Sequence, residues 1–273
     1  MVRDMQEPRA TYTHGHHESV LRGHRRRTVE NSAAYLVPHL RPGVSLLDVG
    51  CGPGTITADL ATRVAPGSVT AVELTDDALS LARAEIRTHG LTNVSFATSD
   101  VHRLAFPDDT FDVVHAHQVL QHVGDPVQAL CEMRRVCAPG GIVAARDADY
   151  GGFIWHPRLP ALDRWLDLYD RAARANGGEP DAGRRLLSWA QRAGFDDVTA
   201  SGSIWCFATT ETRQWWGEMW ADRILHSDLA RQLVGSEMAT TAELEDISAA
   251  WRYWAAAHDG WLAVPHGEII CRA

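Results

Sequence analysis

The stretch Leu46-Leu47-Asp48-Val49-Gly50-Cys51-Gly52-Pro53-Gly54-Thr55 sets three glycines at alternate positions, between an apolar run and a segment of helical pattern. A glycine carries no Cβ, so a ligand can come close to the backbone of such a turn. The spacing is GxGxG, not the GxGxxG of dinucleotide-binding turns. A tight turn without a ligand would need the same glycines, so two acids make the distinction. Asp48 precedes the first glycine, and Glu73 ends the next apolar run, in Val72-Glu73-Leu74. A carboxylate there can accept hydrogen bonds from both hydroxyls of a ribose. The chemistry indicated is capture of a nucleoside-containing ligand.

Those residues need strands to hold them. Apolar runs predict strands over 44–49, 68–74, 94–98, 111–116 and 141–146. Helical patterns fall between them at 55–64, 76–89 and 125–137, the last stopped by Pro139-Gly140-Gly141. Alternation of this kind implies crossover units and an α/β fold with a doubly wound, mostly parallel sheet. After Tyr150 the texture changes, and all ten tryptophans lie beyond that point. Two further strands are expected at 198–208 and 261–272, with a mostly helical stretch over 210–258 between them. The division expected is an N-terminal helical arm at 1–39, a core at 40–208 and 260–273, and a helical substrate cap at 209–259.

A length of 273 residues allows one large core with a cap. The net charge of −9 argues against a general nucleic-acid binder. Five scattered cysteines without a CxxC pair fit a reducing compartment. No apolar run approaches the ~20 residues of a membrane span, and the polar N-terminus is no secretory signal. The expectation is a cytoplasmic protein that engages neither membrane nor nucleic acid.

The motifs together resemble one family, the class I S-adenosylmethionine-dependent methyltransferases, especially their UbiE/MenG-like small-molecule branch. "LLDVGCGPG" is similar to that family's first motif and Val72-Glu73-Leu74 to its second. Ser99-Asp100-Val101 resembles the third, and 108–114 with 117–123 the fourth-strand region. Arg134-Arg135-Val136 and Pro139-Gly140-Gly141 resemble the approach to the fifth strand. The resemblance spans roughly residues 40 to 147, with five motifs in order. It implies a seven-stranded sheet whose last two strands pair antiparallel at one edge. It also implies that Asp48, Gly50, Cys51, Gly52 and Gly54 hold the methionine end of the cofactor, Glu73 its ribose and Asp100 its adenine. Leu74 and Val101 would sandwich the adenine, with Ser99, Gln118 and His122 nearby. His117 stands where the family often has a small polar pair.

Methyl transfer from a sulfonium needs mainly alignment, with an optional base for the acceptor. Strand-end loops four and five flank the methyl group in this family, so His156 is the first candidate base and His117 the second. No magnesium-binding pair of acids is recognisable, so no metal is expected. The tail "YTHGHHESVLRGHRRR" admits a metal site, a nucleic-acid arm, a solvated face or a lid. As a lid, with 18–35 helical, Tyr12 and a histidine such as His16 would face the pocket, and the arm could exchange between subunits of a homo-oligomer. Trp216 and Trp220 recur at helical spacing, as helix-packing core or as a wall for a flat substrate. Tyr150 and Trp155 are further candidates for substrate contact. The overall expectation is methylation at carbon or oxygen of a small apolar or aromatic metabolite, with specialised metabolism as a plausible setting. A non-catalytic binding subunit of S-adenosylmethionine or S-adenosylhomocysteine, or a protein or RNA methyltransferase, is the alternative.

Overall fold

The computed structural model describes residues 12–13 and 18–273. Leu46 and Leu47 are both fully buried, yet they join different core clusters, as do Val113 and Val114 on a neighbouring strand. Consecutive apolar residues are what a sheet covered on both faces requires. The strands concerned are β1 (Leu46–Val49), β2 (Val69–Glu73), β3 (Val94–Thr98), β4 (Phe111–His117) and β5 (Cys137–Ala148). All neighbouring pairs among them are parallel, in the order β3-β2-β1-β4-β5. The order reverses between β1 and β4, which opens a crevice beyond their carboxyl ends.

Helices α1 (Glu18–His24), α2 (Val29–Ser32) and α3 (Thr55–Val64) precede α4 (Asp76–Thr88) and α5 (Pro126–Val136). The single helix expected over 18–35 is broken. Thr28 caps α2, accepting from the Asn31 backbone N–H while the Asn31 side chain accepts from its own. That capping box starts a new helix and leaves Arg25, Arg26 and Arg27 in the break. The stop expected at Pro139-Gly140-Gly141 is absorbed into β5 as an irregularity, where Phe111 faces Cys137 and Val113 faces Ile142.

The sheet has eight strands among the described residues, one more than expected. β7 (Val198–Phe207) and β8 (Trp261–Arg272) pair antiparallel along their lengths at one edge. β5 covers only the stretch of β8 from His266 to Arg272 on its other side. The extra strand, β6 (Ile154–His156), pairs with β8 from Trp261 to Ala263, where β5 no longer reaches. A segment of three residues before Pro157 is too short to show as a strand in sequence.

The helical layer also exceeds the expected insertion. α8 (Thr210–His226), α9 (Asp228–Gly235) and α10 (Thr241–Ala256) are joined in one aromatic core by α6 (Pro160–Ala175), while α7 (Leu186–Arg192) packs on the sheet with α5. Trp165 of α6 meets Trp220 at 4.6 Å and Trp251 at 4.9 Å between ring centroids, both edge to face. α8 and α10 cross closely at Gly217, where a Cβ would stand 2.8 Å from the Trp251 carbonyl oxygen. Trp251→Ala should therefore open a void and cost about 3–5 kcal/mol in urea unfolding. The half-exposed ring of Trp261 sets the comparison, and Trp261→Ala should cost less than about 1 kcal/mol. Equal losses would mean that the aromatic cluster is not what holds the layer.

Candidate active site

A cavity of about 1220 Å³ lies over the carboxyl ends of β1, β2 and β4. One end is floored by the glycine loop, in which Gly50, Gly52 and Gly54 have φ of 67°, 54° and 86°. A Cβ on Gly52 would project into open space, with the nearest side-chain atom 4.0 Å away. The loop is held by its neighbours. Glu73, at the end of β2, accepts from the Gly52 backbone N–H at 2.8 Å and the Leu74 N–H at 3.3 Å. Leu74 is 57% exposed on this wall, an unusual position for a leucine and a free apolar face for a ring. Val101 also lines the cavity. Asp100 accepts from the His102 backbone at 3.0 Å and pairs with His102 Nδ1 at 2.8 Å, and Ser99 accepts from the Ala105 N–H at 3.1 Å. Cys51 is buried, and burial pushes its thiol well above the ordinary range, so it stays protonated.

Asp48 differs from its expected role. Its carboxylate is 3% exposed, and both oxygens are engaged: Thr57 Oγ1 donates to one at 2.6 Å, and His115 Nδ1 bonds the other at 2.9 Å. It braces the loop from below and offers little to a ligand.

The other end of the cavity is aromatic and basic. Tyr150, Phe153, Trp205, Phe207, Trp216 and Trp220 line it, together with Arg27, Arg146 and Arg223. Tyr12 stands at the junction of the two ends. Its hydroxyl lies 3.4 Å from His24 Nε2, and its ring meets His122 edge to face at 4.8 Å. Burial raises the Tyr12 hydroxyl to about 12 and lowers His122 to about 3, so both are neutral. Gln118 is pinned by Arg27, which donates to its amide oxygen at 2.6 Å, and by His266 at 2.9 Å. His117 is 6% exposed, and among the described residues neither ring nitrogen has a hydrogen-bond partner. Desolvation, with Arg27 and Arg146 nearby, holds it well below the ordinary histidine range.

Two expected residues fall elsewhere, His156 and Trp155. His156 does not reach the cavity. It sits on β6 at the surface, paired with Asp259 at 3.1 Å, because the chain turns through Tyr150–Gly152 and then runs along β8. Trp155 points into the helical core, with Arg158 over its ring. His16 lies outside the described residues. Arg27, Arg146, Arg223 and Glu268 were not foreseen. A charged pair, Arg146-Asp147, ending a buried apolar strand was the available signal for one of them. Among the described residues no cluster of three metal-ligating side chains occurs, and no helix is long and apolar enough to cross a membrane.

Residues 40–182 match a family described as a methyltransferase domain, just over half of the chain. An uncharacterised methyltransferase of Schizosaccharomyces pombe is 34% identical over 267 residues, covering 95% of this chain and 95% of its own. The chain belongs to the class I S-adenosylmethionine-dependent methyltransferases. The ubiquinone/menaquinone biosynthesis C-methyltransferase UbiE of Shewanella frigidimarina is 36% identical over 189 residues, 64% of this chain and 72% of that one. A solved structure of Haemonchus contortus phosphoethanolamine N-methyltransferase 2, with phosphomonomethylethanolamine and S-adenosylhomocysteine, shares the fold. Its TM-score is 0.55 at 17% identity, covering 85% of this chain and 49% of that one.

The methyltransferase has walls that suit its cofactor. A left-handed glycine loop leaves backbone bare, two acids stand at the ends of β2 and β3, and Leu74 presents an apolar face. Glu73→Ala should weaken S-adenosylhomocysteine binding by about 1–3 kcal/mol in isothermal titration; unchanged affinity would remove it from the ribose site. Asp147 gives a pH test of the layer below. Its carboxyl is fully buried, Oδ1 accepts from the Gln121 N–H, Oδ2 has no partner among the described residues, and burial raises it to about 7. The folded state thus binds a proton that the unfolded chain has lost, so stability should fall as pH rises from about 4 to about 7. Asp147→Asn should flatten that slope in urea midpoints; an unaltered slope would place the penalty elsewhere.

Proposed function

We propose that this methyltransferase acts on carbon or oxygen of a small, largely apolar or aromatic molecule. The supporting observation is continuity: the glycine-loop end and the aromatic end are one cavity. An acceptor stacked against Trp216 and Trp220 would lie beside the cofactor without leaving the protein interior. S-adenosylmethionine supplies a methyl carbon on a sulfonium sulfur, which keeps the C–S electron pair when a nucleophile displaces it.

The chain's own task is therefore to orient and to exclude water. Glu73 and Asp100 would fix the nucleoside, and Leu74 with Val101 its base. Tyr12, Leu21 and His24 roof the cavity from the N-terminal arm. Arg22 bonds Asp222 at 2.9 Å and Arg26 bonds Glu211 at 2.8 Å, so the arm is fastened to α8. His117, which lines the cavity, would be the histidine to meet an acceptor hydroxyl. Its low proton affinity suits it to accept a hydrogen bond and makes it a weak base.

Labelled S-adenosylmethionine with extracts of apolar metabolites should yield labelled small molecules; label in protein or RNA instead would overturn the reading. With an identified acceptor, Trp216→Ala should raise its KM about tenfold or more while cofactor affinity holds. His117→Ala should lower kcat by about tenfold or more, and His156→Ala should leave it intact. The reverse pattern would return the base to β6.

A further inference from the structure

The acceptor end of the cavity holds more positive charge than its walls neutralise. Arg27, Arg146 and Arg223 all line it. Arg146 has one carboxylate: its Nε donates to Glu268 at 3.1 Å, and Ser201 and Ser203 secure that acid at 2.9 and 2.5 Å. Among the described residues Arg27 and Arg223 have none. Arg27 donates to the Gln118 amide oxygen, and Arg223 donates to the Ser19 carbonyl at 3.1 Å and touches Met219 sulfur at 3.3 Å. Among the described residues the Nε groups of both, and Nη1 of Arg146, are buried without a hydrogen-bond partner.

Aromatic faces take part of the load. Trp205 has Arg146 at 5.0 Å and Arg27 at 5.7 Å from its ring centroid, and Trp220 has Arg223 at 4.6 Å. Cation–π contacts of this kind offset only part of the lost hydration. Arg27 also lies in the repulsive field of the other two. Burial first, then these neighbours, lower it to about 10, which leaves it charged at neutral pH. Tyr12 and Tyr150, with hydroxyls raised by burial, stand alongside as neutral groups able to donate. Among the described residues Glu268 is the one acid lining this end against three cations, with the buried Asp147 behind them raised to about 7, and a bound anion is what would complete the set.

We propose that the acceptor carries an oxyanion, a carboxylate or an ionised acidic hydroxyl, on its aromatic or apolar frame, and that Arg27 and Arg223 bind it. The inference rests on the reading that the aromatic end takes the acceptor. A guanidinium fork matches two oxygens of a carboxylate or a single charged oxygen at short range. A neutral ligand of the same shape would leave both cations facing apolar atoms.

The test is isothermal titration of the S-adenosylhomocysteine-saturated protein at neutral pH. The probes are 2-naphthoate, its neutral counterpart 2-naphthylmethanol, and 2,4-dinitro-1-naphtholate as an ionised hydroxyl. At least one anion should bind about tenfold or more tightly than the neutral probe, and which one does identifies the oxyanion. Arg27→Gln should remove most of that preference while S-adenosylhomocysteine affinity is retained, and Arg25→Gln, in the exposed pair with Glu18, should not. Arg223→Gln should behave like Arg27→Gln. Because Arg223 is buried, its unfolding curve is compared first, and Arg27→Gln decides the matter alone if Arg223→Gln does not fold. Equal binding of all three probes, or a preference unchanged in Arg27→Gln, would overturn the anion site and leave the aromatic acceptor standing. Binding of S-adenosylhomocysteine with none of the probes would overturn both.

Discussion

A carboxylate with almost no solvent is the constraint on which the site depends. Asp48 takes a hydrogen bond from Thr57 on α3 and another from His115 on β4, while its own backbone belongs to β1. One side chain thereby joins the two strands that flank the order reversal to the helix that follows the glycine loop. A buried carboxylate is unfavourable unless its oxygens are satisfied, so these partners and the strand positions require one another. The glycine loop spans from β1 to α3, and its left-handed backbone is held at both ends by that arrangement. Glu73 then fastens the middle of the loop from β2.

Above this base the cavity divides by charge. Asp48, Glu73, Asp77 and Asp100 gather at the glycine-loop end, and the guanidinium groups at the other. A cationic cofactor suits the first end. The second would repel it, so the asymmetry would orient the cofactor as well as select the acceptor. Tyr12 sits where the two fields meet, influenced by Glu73 from one side and by Arg27 and Arg223 from the other.

Local chemistry was legible in the sequence; long-range placement was not. The glycine spacing, Glu73 and the alternation of strands with helices depend on neighbours a few residues away, and the structure has them where they were expected. Gly52 and Leu74 face the cavity because the strand ends leave them no other side. His156 misled for a geometric reason. It follows β5 closely in sequence, but the turn at Tyr150–Gly152 sends it along the uncovered part of β8 to the surface. Helix α6 carried no glycine or acid motif to mark it, and its role comes from tryptophans supplied by α8 and α10. The tryptophans divide between core and cavity wall: Trp165, Trp251 and Trp254 are core, Trp205 lines the cavity, and Trp216 and Trp220 do both.

The histidine- and arginine-rich tail shows how one charge run can be spent in several ways. Arg22, Arg25 and Arg26 make solvent-screened pairs, each worth at most about 1 kcal/mol. Arg27, adjacent to them, turns inward because Thr28 begins a new helix and fixes the direction of the chain. The arm therefore contributes both the roof of the cavity and one of its cations. A ligand that bonds Arg27 binds only the arrangement in which the arm is docked, so its binding free energy adds to the weak surface pairs that hold the arm down. Closure over the acceptor and recognition of its charge would then be a single equilibrium. An acceptor without that charge would forgo the contact that pulls the roof shut, and water would be excluded least where the chemistry tolerates it least.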